Sequence, residues 1–340
     1  MTDRLVEGTI LRGTEFEPVE GRVVVEDGKI AAIEEEPVDA DRIVLPAFVN
    51  AHTHIGDSIA KEAGRGLSLE ELVAPPDGLK HRLLREASRE ETVAAMDRSL
   101  RFMRSTGTVS CIEFREGGVE GVEMIETAAE GTGVDPVVLG RESIEAMEAS
   151  DGFGASGAND AEFGDEREAT RETGKLFGIH AGEVDDSDIS PALDLDPDFL
   201  VHMVYAREEH LDAVEEQGIP VAVCPRSNLV TNVGFPPIEE LAERTTVALG
   251  TDNVFLNSPS MFREMEFAAK LTDLEAPTIL RMATCAGAEI AGLEWGIVAE
   301  GRPAKLLVLD AGSDNLVGVK DPVRAVVRRA GASDVVETIG

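Results

Sequence analysis

The sequence predicts an α/β protein: a (β/α)8 TIM barrel with a small β-sandwich-like domain formed from both termini. Three observations carry this. Between residues 46 and 297 short apolar runs alternate with helical patterns eight times. Both ends of the chain are short strands punctuated by glycine, and four of the six histidines fall at or near predicted strand ends. Strand and helix in strict alternation close into a parallel barrel, whose reactive groups gather at the carboxyl ends of the strands.

The elements follow in order. Residues 1–45 together with 298–340 are expected to form the small domain, and 46–297 the barrel. In the first part, Asp27-Gly28 between two apolar runs has the composition of a tight hairpin turn. The barrel begins with the apolar strand leading to His52 and His54. A long loop over 56–78 follows, then one helix over 80–105 with apolar residues at near-helical spacing from Leu83 to Met103. Further strands are expected at 108–114, 136–140, 146–154, 176–181, 199–204, 219–224 and 246–252, with helices at 120–130 and 161–174 between them. Beyond the barrel, 305–310 and 323–331 return to the strand pattern.

Composition sets the environment and excludes some partners. The 340-residue chain carries a formal charge of −35 spread along its length, which disfavours nucleic acid because phosphate would be repelled. Of its 31 basic residues only seven are lysine, the pattern of a protein kept soluble in concentrated salt, where screening shortens repulsion to roughly 3 Å at 1 M. No run of about 18 apolar residues and no secretion signal is evident, so a cytoplasmic protein without a membrane partner is expected. Cys111, Cys224 and Cys285 lie far apart, so neither a disulfide framework nor a structural zinc knuckle is expected. A small-molecule substrate is the implied partner, and a homo-oligomer is compatible with the sequence.

Side chains alternate faces along a strand, so His52 and His54 point one way and Thr53 the other. Two neutral imidazoles on one face supply two-thirds of a zinc site, since a catalytic metal usually takes three protein ligands and keeps a position for water. His180 closes the fifth strand, Glu183 follows it, His202 lies in the sixth and Asp252 closes the eighth. His81 and His210 are expected on the surface. Arg226 and Asn228 follow the seventh strand and Arg141 the third, where they could meet substrate. Glu113 and Arg115 end the second strand and could face the mouth, and Arg65, Lys80 and Arg82 in the first loop could meet an anionic group.

Taken together, His52-Thr-His54 after an apolar strand, His180-Ala-Gly-Glu183, His202, Cys224-Pro-Arg-Ser-Asn228 and Gly250-Thr-Asp-Asn253 resemble the amidohydrolase superfamily. More narrowly they resemble its cytosine deaminase and chlorohydrolase-related branch. The resemblance spans nearly the whole chain and implies that His52, His54, His180 and Asp252 hold one divalent ion, zinc ahead of iron or manganese. Dinuclear members carry a bridging lysine on the fourth strand, and no lysine occurs here between Lys80 and Lys175.

The expected chemistry is deamination of a purine, pyrimidine or related nitrogen heterocycle by metal-bound hydroxide. The metal would make hydroxide available near neutral pH, with Asp252 accepting its proton. His202 would steady the tetrahedral centre and Glu183 would carry a proton to the ring nitrogen. The alternatives are a cyclic amidohydrolase, a chlorohydrolase-type hydrolase, and a non-catalytic scaffold that keeps the fold.

Overall fold

The computed structural model describes residues 3–73 and 77–340. Four strands come first: β1 (Arg4–Arg12), β2 (Glu17–Glu26), β3 (Lys29–Glu35) and β4 (Arg42–Pro46). The β2–β3 turn is the Asp27-Gly28 pair, with both residues at positive φ, 48° and 77°. That is the backbone twist a two-residue hairpin needs. Strand β4 lies parallel to β1 with Thr9 opposite Ile43, and feeds straight into the barrel.

The barrel strands are β5 (Phe48–His54), β6 (Thr108–Arg115), β7 (Asp135–Gly140), β8 (Gly152–Ala155), β9 (Leu176–Ala181), β10 (Phe199–His202), β11 (Val221–Val223), β12 (Val247–Leu249) and β13 (Asp252–Asn253). Neighbours from β5 round to β12 pair in parallel, in chain order. The last two are halves of the eighth barrel strand: β12 pairs with β11, and β13 pairs with β5. Between them the Gly250 N–H donates to Val223 O (2.9 Å) and the Thr251 N–H to His52 O (3.1 Å), closing the ring. Glycine is required at 250 because a Cβ there would stand 2.8 Å from that of His52.

Inside the cylinder Phe114 and Phe199 alternate with Ala51, Ala222 and Ala248, large against small, as a tapering core demands. A Cβ on Gly154 would stand 2.8 Å from the Phe114 ring, and one on Gly178 2.4 Å from that of Phe199. The second core lies between the outer faces of the strands and the helices, where Phe177, Ile179, Leu200, Val221 and Leu249 meet Met261, Met265, Ile279 and Leu280.

Beyond the barrel, β14 (Leu306–Asp310) pairs antiparallel with β4 and β15 (Val335–Ile339) with β14. The second sheet therefore runs β15-β14-β4-β1-β2-β3 and uses both ends of the chain.

Three expectations about elements are corrected. The 323–331 segment is not a strand: Pro322–Arg328 is a helix, with Asp321 accepting the Arg324 N–H as its N-cap and proline at its first position. Its β-branched valines suggested extension, but Val323, Val326 and Val327 bury one helical stripe. The single helix over 80–105 is two, Leu79–Glu86 and Arg89–Ser105, broken where Ser88 and Glu91 form a reciprocal capping box. The fourth barrel strand is shorter than expected, because Ile144–Glu148 is a helix capped by Ser143 and only Gly152–Ala155 is extended.

The expected 56–78 loop holds a 3-10 turn, Ile55–Ala60, and a short helix, Leu69–Val73, and its residues 74–76 lie outside those described. Among the described residues no helix is long and apolar enough to cross a membrane.

Candidate metal centre

Strand alternation places the first pair. His52 and His54 face the barrel axis, while Thr53 points back between strands and donates to Glu113 Oε2 (2.8 Å). The Phe114 ring packs edge-on beneath them, 4.6 Å from His52 and 5.0 Å from His180 between centroids. Asp252 enters at the kink in the eighth strand with φ 57°, and His202 ends β10 with φ 79°. Left-handed backbone at residues that carry a Cβ costs of order 1–3 kcal/mol each and gathers at functional sites.

The side chains converge. Donor atoms of His52, His54 and His180 all lie within 4.8 Å of one another, as do those of His52, His202 and Asp252. His52 Nε2 is 3.4 Å and His54 Nε2 3.7 Å from Asp252 Oδ1, and the Nε2 atoms of His54 and His180 are 3.4 Å apart. Burial holds the three imidazoles neutral. Desolvation, reinforced by Lys80, presses His54 down to about 3, and desolvation with the neighbouring imidazoles takes His180 well below the ordinary range.

Two features fit a divalent cation. His180 Nδ1 is 2.7 Å from Ala155 O, and a carbonyl only accepts, so Nδ1 carries the proton and Nε2 offers a lone pair to the centre. Fully buried His52 has no hydrogen-bond partner on either ring nitrogen among the described residues. Such an orphan costs about 1–3 kcal/mol unless something else takes its lone pair. Burial opposes a charge on Asp252, and the hydrogen bonds it accepts work against that cost. Ser227 Oγ (2.6 Å) and Asn253 Nδ2 (2.9 Å) donate to its two oxygens.

On the other side of the centre, His202 Nε2 is 3.6 Å from Glu183 Oε2. Asn228 Nδ2 lies 3.1 Å from His202 Nδ1. An amide N–H can only donate, so His202 carries its proton on Nε2 and differs in kind from the imidazoles that offer lone pairs. Burial raises the Glu183 carboxyl, with His202 partly opposing the shift.

The structure redistributes the other sequence candidates. Arg226 donates to Glu264, Ser258 O and Asn257, and Asn228 sits behind His202. Both sit on the helix Pro225–Val230 and are buried there. Glu113 is tied to Thr53 and the Ile55 N–H, and Arg115, with its guanidinium over Gly56, lines the cavity described below. Arg82 donates to Asp77 O. His210, expected at the surface, is buried and accepts the Arg207 N–H, and His81 is 3.0 Å from Val73 O.

Arg141 borders a cavity of about 910 Å³ that runs from Glu116 between the 79–105 helices and the loops after β7 and β8. Glu116, absent from the sequence candidates, is buried with its Oε1 2.9 Å from His54 Nδ1 and 2.6 Å from Lys80 Nζ. Its only signal in the sequence was its place directly after the second strand.

A parallel barrel with imidazoles and a carboxylate converging at one rim defines the class: a metal-binding TIM-barrel enzyme. Residues 43–183 and 161–339 match the model of the amidohydrolase family. The chain belongs to that family and is a hydrolase of carbon–nitrogen bonds. It is 36% identical to a putative aminohydrolase of Methanothermobacter thermautotrophicus, over 98% of this chain and 96% of that one. It is 28% identical to a 5'-deoxyadenosine deaminase of Methanosarcina mazei, over 94% and 86%.

Among solved structures, an adenosine deaminase from Xanthomonas campestris with bound zinc superposes with a TM-score of 0.75 at 19% identity, covering 98% of this chain and 90% of that one. Atrazine chlorohydrolase from Arthrobacter aurescens complexed with zinc superposes at 0.80 with 17% identity, covering 97% and 94%.

Proposed function

We propose that this enzyme is a metal-dependent aminohydrolase that deaminates an amino-substituted purine, pyrimidine or related nitrogen heterocycle. One divalent ion, zinc first, is held by His52, His54, His180 and Asp252. The observation that carries the reading is the Glu183–His202 pair set beside that donor cluster. An amide can be hydrolysed with a metal and one base, whereas a heteroaromatic carbon needs its ring nitrogen protonated before it accepts water. A largely buried carboxyl with a raised pKa supplies that proton.

When bound, the ion acts as a Lewis acid and brings the pKa of coordinated water toward neutrality. Asp252 accepts the proton released from the attacking water. The Nε2–H of His202 donates to the oxygen that becomes attached to the ring carbon, where charge develops. Glu183 delivers its proton to the ring nitrogen, the proton taken up by Asp252 passes to the amino group so that ammonia departs, and the hydroxyl proton returns to Glu183 as the carbonyl forms. Arg141, which lines the cavity beside Glu116, is available to the rest of the substrate.

The names of relatives support the same chemistry, since the Methanosarcina mazei protein is a 5'-deoxyadenosine deaminase and the Xanthomonas campestris structure an adenosine deaminase. The test is ammonia release from zinc-loaded protein given adenine, adenosine, 5'-deoxyadenosine, cytosine and guanine. Turnover of one of these is expected. No ammonia from any of them, together with turnover of a cyclic amide or a chlorinated triazine, would overturn the deaminase reading.

A further inference from the structure

We propose that Lys80 and Glu116 form an outer clamp on the metal centre: Glu116 is the positioning residue that fixes the His54 ring, and Lys80 joins Glu116 to Asn253 behind Asp252. This rests on the metal-centre reading above. Lys80 arrives from the helix Leu79–Glu86, outside the barrel, yet is only 4% exposed. An ammonium buried so deeply is tolerated only where it is paired and hydrogen-bonded. It donates to Glu116 Oε1 (2.6 Å) and to Asn253 Oδ1 (3.3 Å). Each partner touches a different expected ligand. Glu116 Oε1 is 2.9 Å from His54 Nδ1, and Asn253 Nδ2 donates to Asp252 Oδ1 at 2.9 Å.

One cation from a peripheral helix therefore braces two ligands that come from opposite ends of the barrel sequence. The Glu116–His54 contact lies outside hydrogen-bond geometry, so the carboxylate acts on the ring through its charge, which favours the His54 proton on the nearer nitrogen, Nδ1. The Nε2 lone pair is then left facing His180 and Asp252, and the ring is a stronger ligand for it. Among the described residues Glu116 Oε2 is buried with no hydrogen-bond partner, and the carboxylate is held through Oε1, by Lys80 and more distantly by Arg141 at 3.5 Å. Without Lys80 it is free to turn away from the ring. The ammonium also offsets the negative charge that Glu116 adds next to Asp252.

The experiment titrates zinc into the full-length wild type and the E116Q, K80M and double variants in competition with a chromogenic chelator. Each single substitution is expected to weaken zinc binding about 10- to 100-fold. The double variant is expected to lose no more than the worse single, because both act through one contact. Thermal melts of the metal-free proteins identify any variant that fails to fold. Long-range ¹H–¹⁵N spectra of the histidine rings in zinc-loaded wild type then decide without a variant, showing His54 with its proton on Nδ1 and zinc on Nε2. Folded single variants that bind zinc within twofold of wild type, or His54 bound through Nδ1, would overturn the clamp alone. Wild type that binds no zinc would overturn the metal-centre reading itself, and the clamp with it.

Discussion

Asn228 lies 3.1 Å from His202 Nδ1 and, by donating to it, turns the Nε2–H of that ring toward Glu183. A residue placed by sequence pattern near the substrate thus sets the tautomer of the neighbouring imidazole. Replacing Asn228 with leucine removes that donor at nearly constant size. We expect kcat to fall about 10- to 100-fold, the range for contacts that orient a working histidine. The zinc content by plasma emission should be unchanged, because the four expected ligands are untouched.

Glu183→Gln keeps the shape of the side chain and removes its capacity to carry a proton. Ammonia release should drop by at least about a hundredfold, the usual contribution of a positioned general acid. Zinc should remain bound, and activity near the wild-type level would contradict the proton-transfer role.

A pH prediction follows from Glu113. Burial pushes its carboxyl from the ordinary 4.5 up to about 7, although Arg115 and the Ile55 N–H oppose the shift. Between those two values the folded protein binds a proton that the unfolded chain has already released, so stability falls as pH rises through this window. At about 1.4 kcal/mol per unit, the penalty reaches roughly 3 kcal/mol by neutral pH. Urea unfolding at pH 5 and pH 7.5 should therefore show a smaller loss in Glu113→Gln than in the wild type.

Removal of metal should destabilise the fold. A ligand bound only by the native state contributes about 2.7 kcal/mol when present at a hundred times its Kd. Dialysis against a chelator should lower the melting temperature, and added zinc should restore it. An unchanged melt would count against a site assembled by folding.

With a formal charge of −35, the chain repels itself at low ionic strength. Raising potassium chloride from 0.1 M to 2 M should raise the melting temperature, since screening then acts over a few ångströms. No gain would remove the high-salt adaptation inferred from the scarcity of lysine.

The parts of the fold legible in the sequence were those with a short repeat. Alternation along β5 put His52 and His54 on one face, and Asp27-Gly28 announced the hairpin because only certain residues tolerate its positive φ. The 323–331 segment misled because valine favours extension in isolation, while packing against the helices Met261–Leu271 and Ala276–Met282 decided otherwise. The break at Ser88 was written in the Ser-Arg-Glu-Glu capping box but hidden by the continuous apolar spacing on either side.

The centre was visible as far as strand ends could show it. Glu116 and Lys80 meet through a contact between the helix Leu79–Glu86 and the end of the second barrel strand, a long-range event that no local pattern encodes. Arg226 carried the charge expected of a substrate contact, yet Glu264 waits for it inside the protein and takes it up.

The divided last strand ties assembly to chemistry. The cylinder is fastened to its own first stave by the short β13 and the bridge at Thr251, and the carboxylate destined for the cation stands within that joint as the first residue of β13. Gripping the ion and latching the cylinder are consequently one act. A lesion at the joint, even one that spares every imidazole, would open the vessel and empty it together.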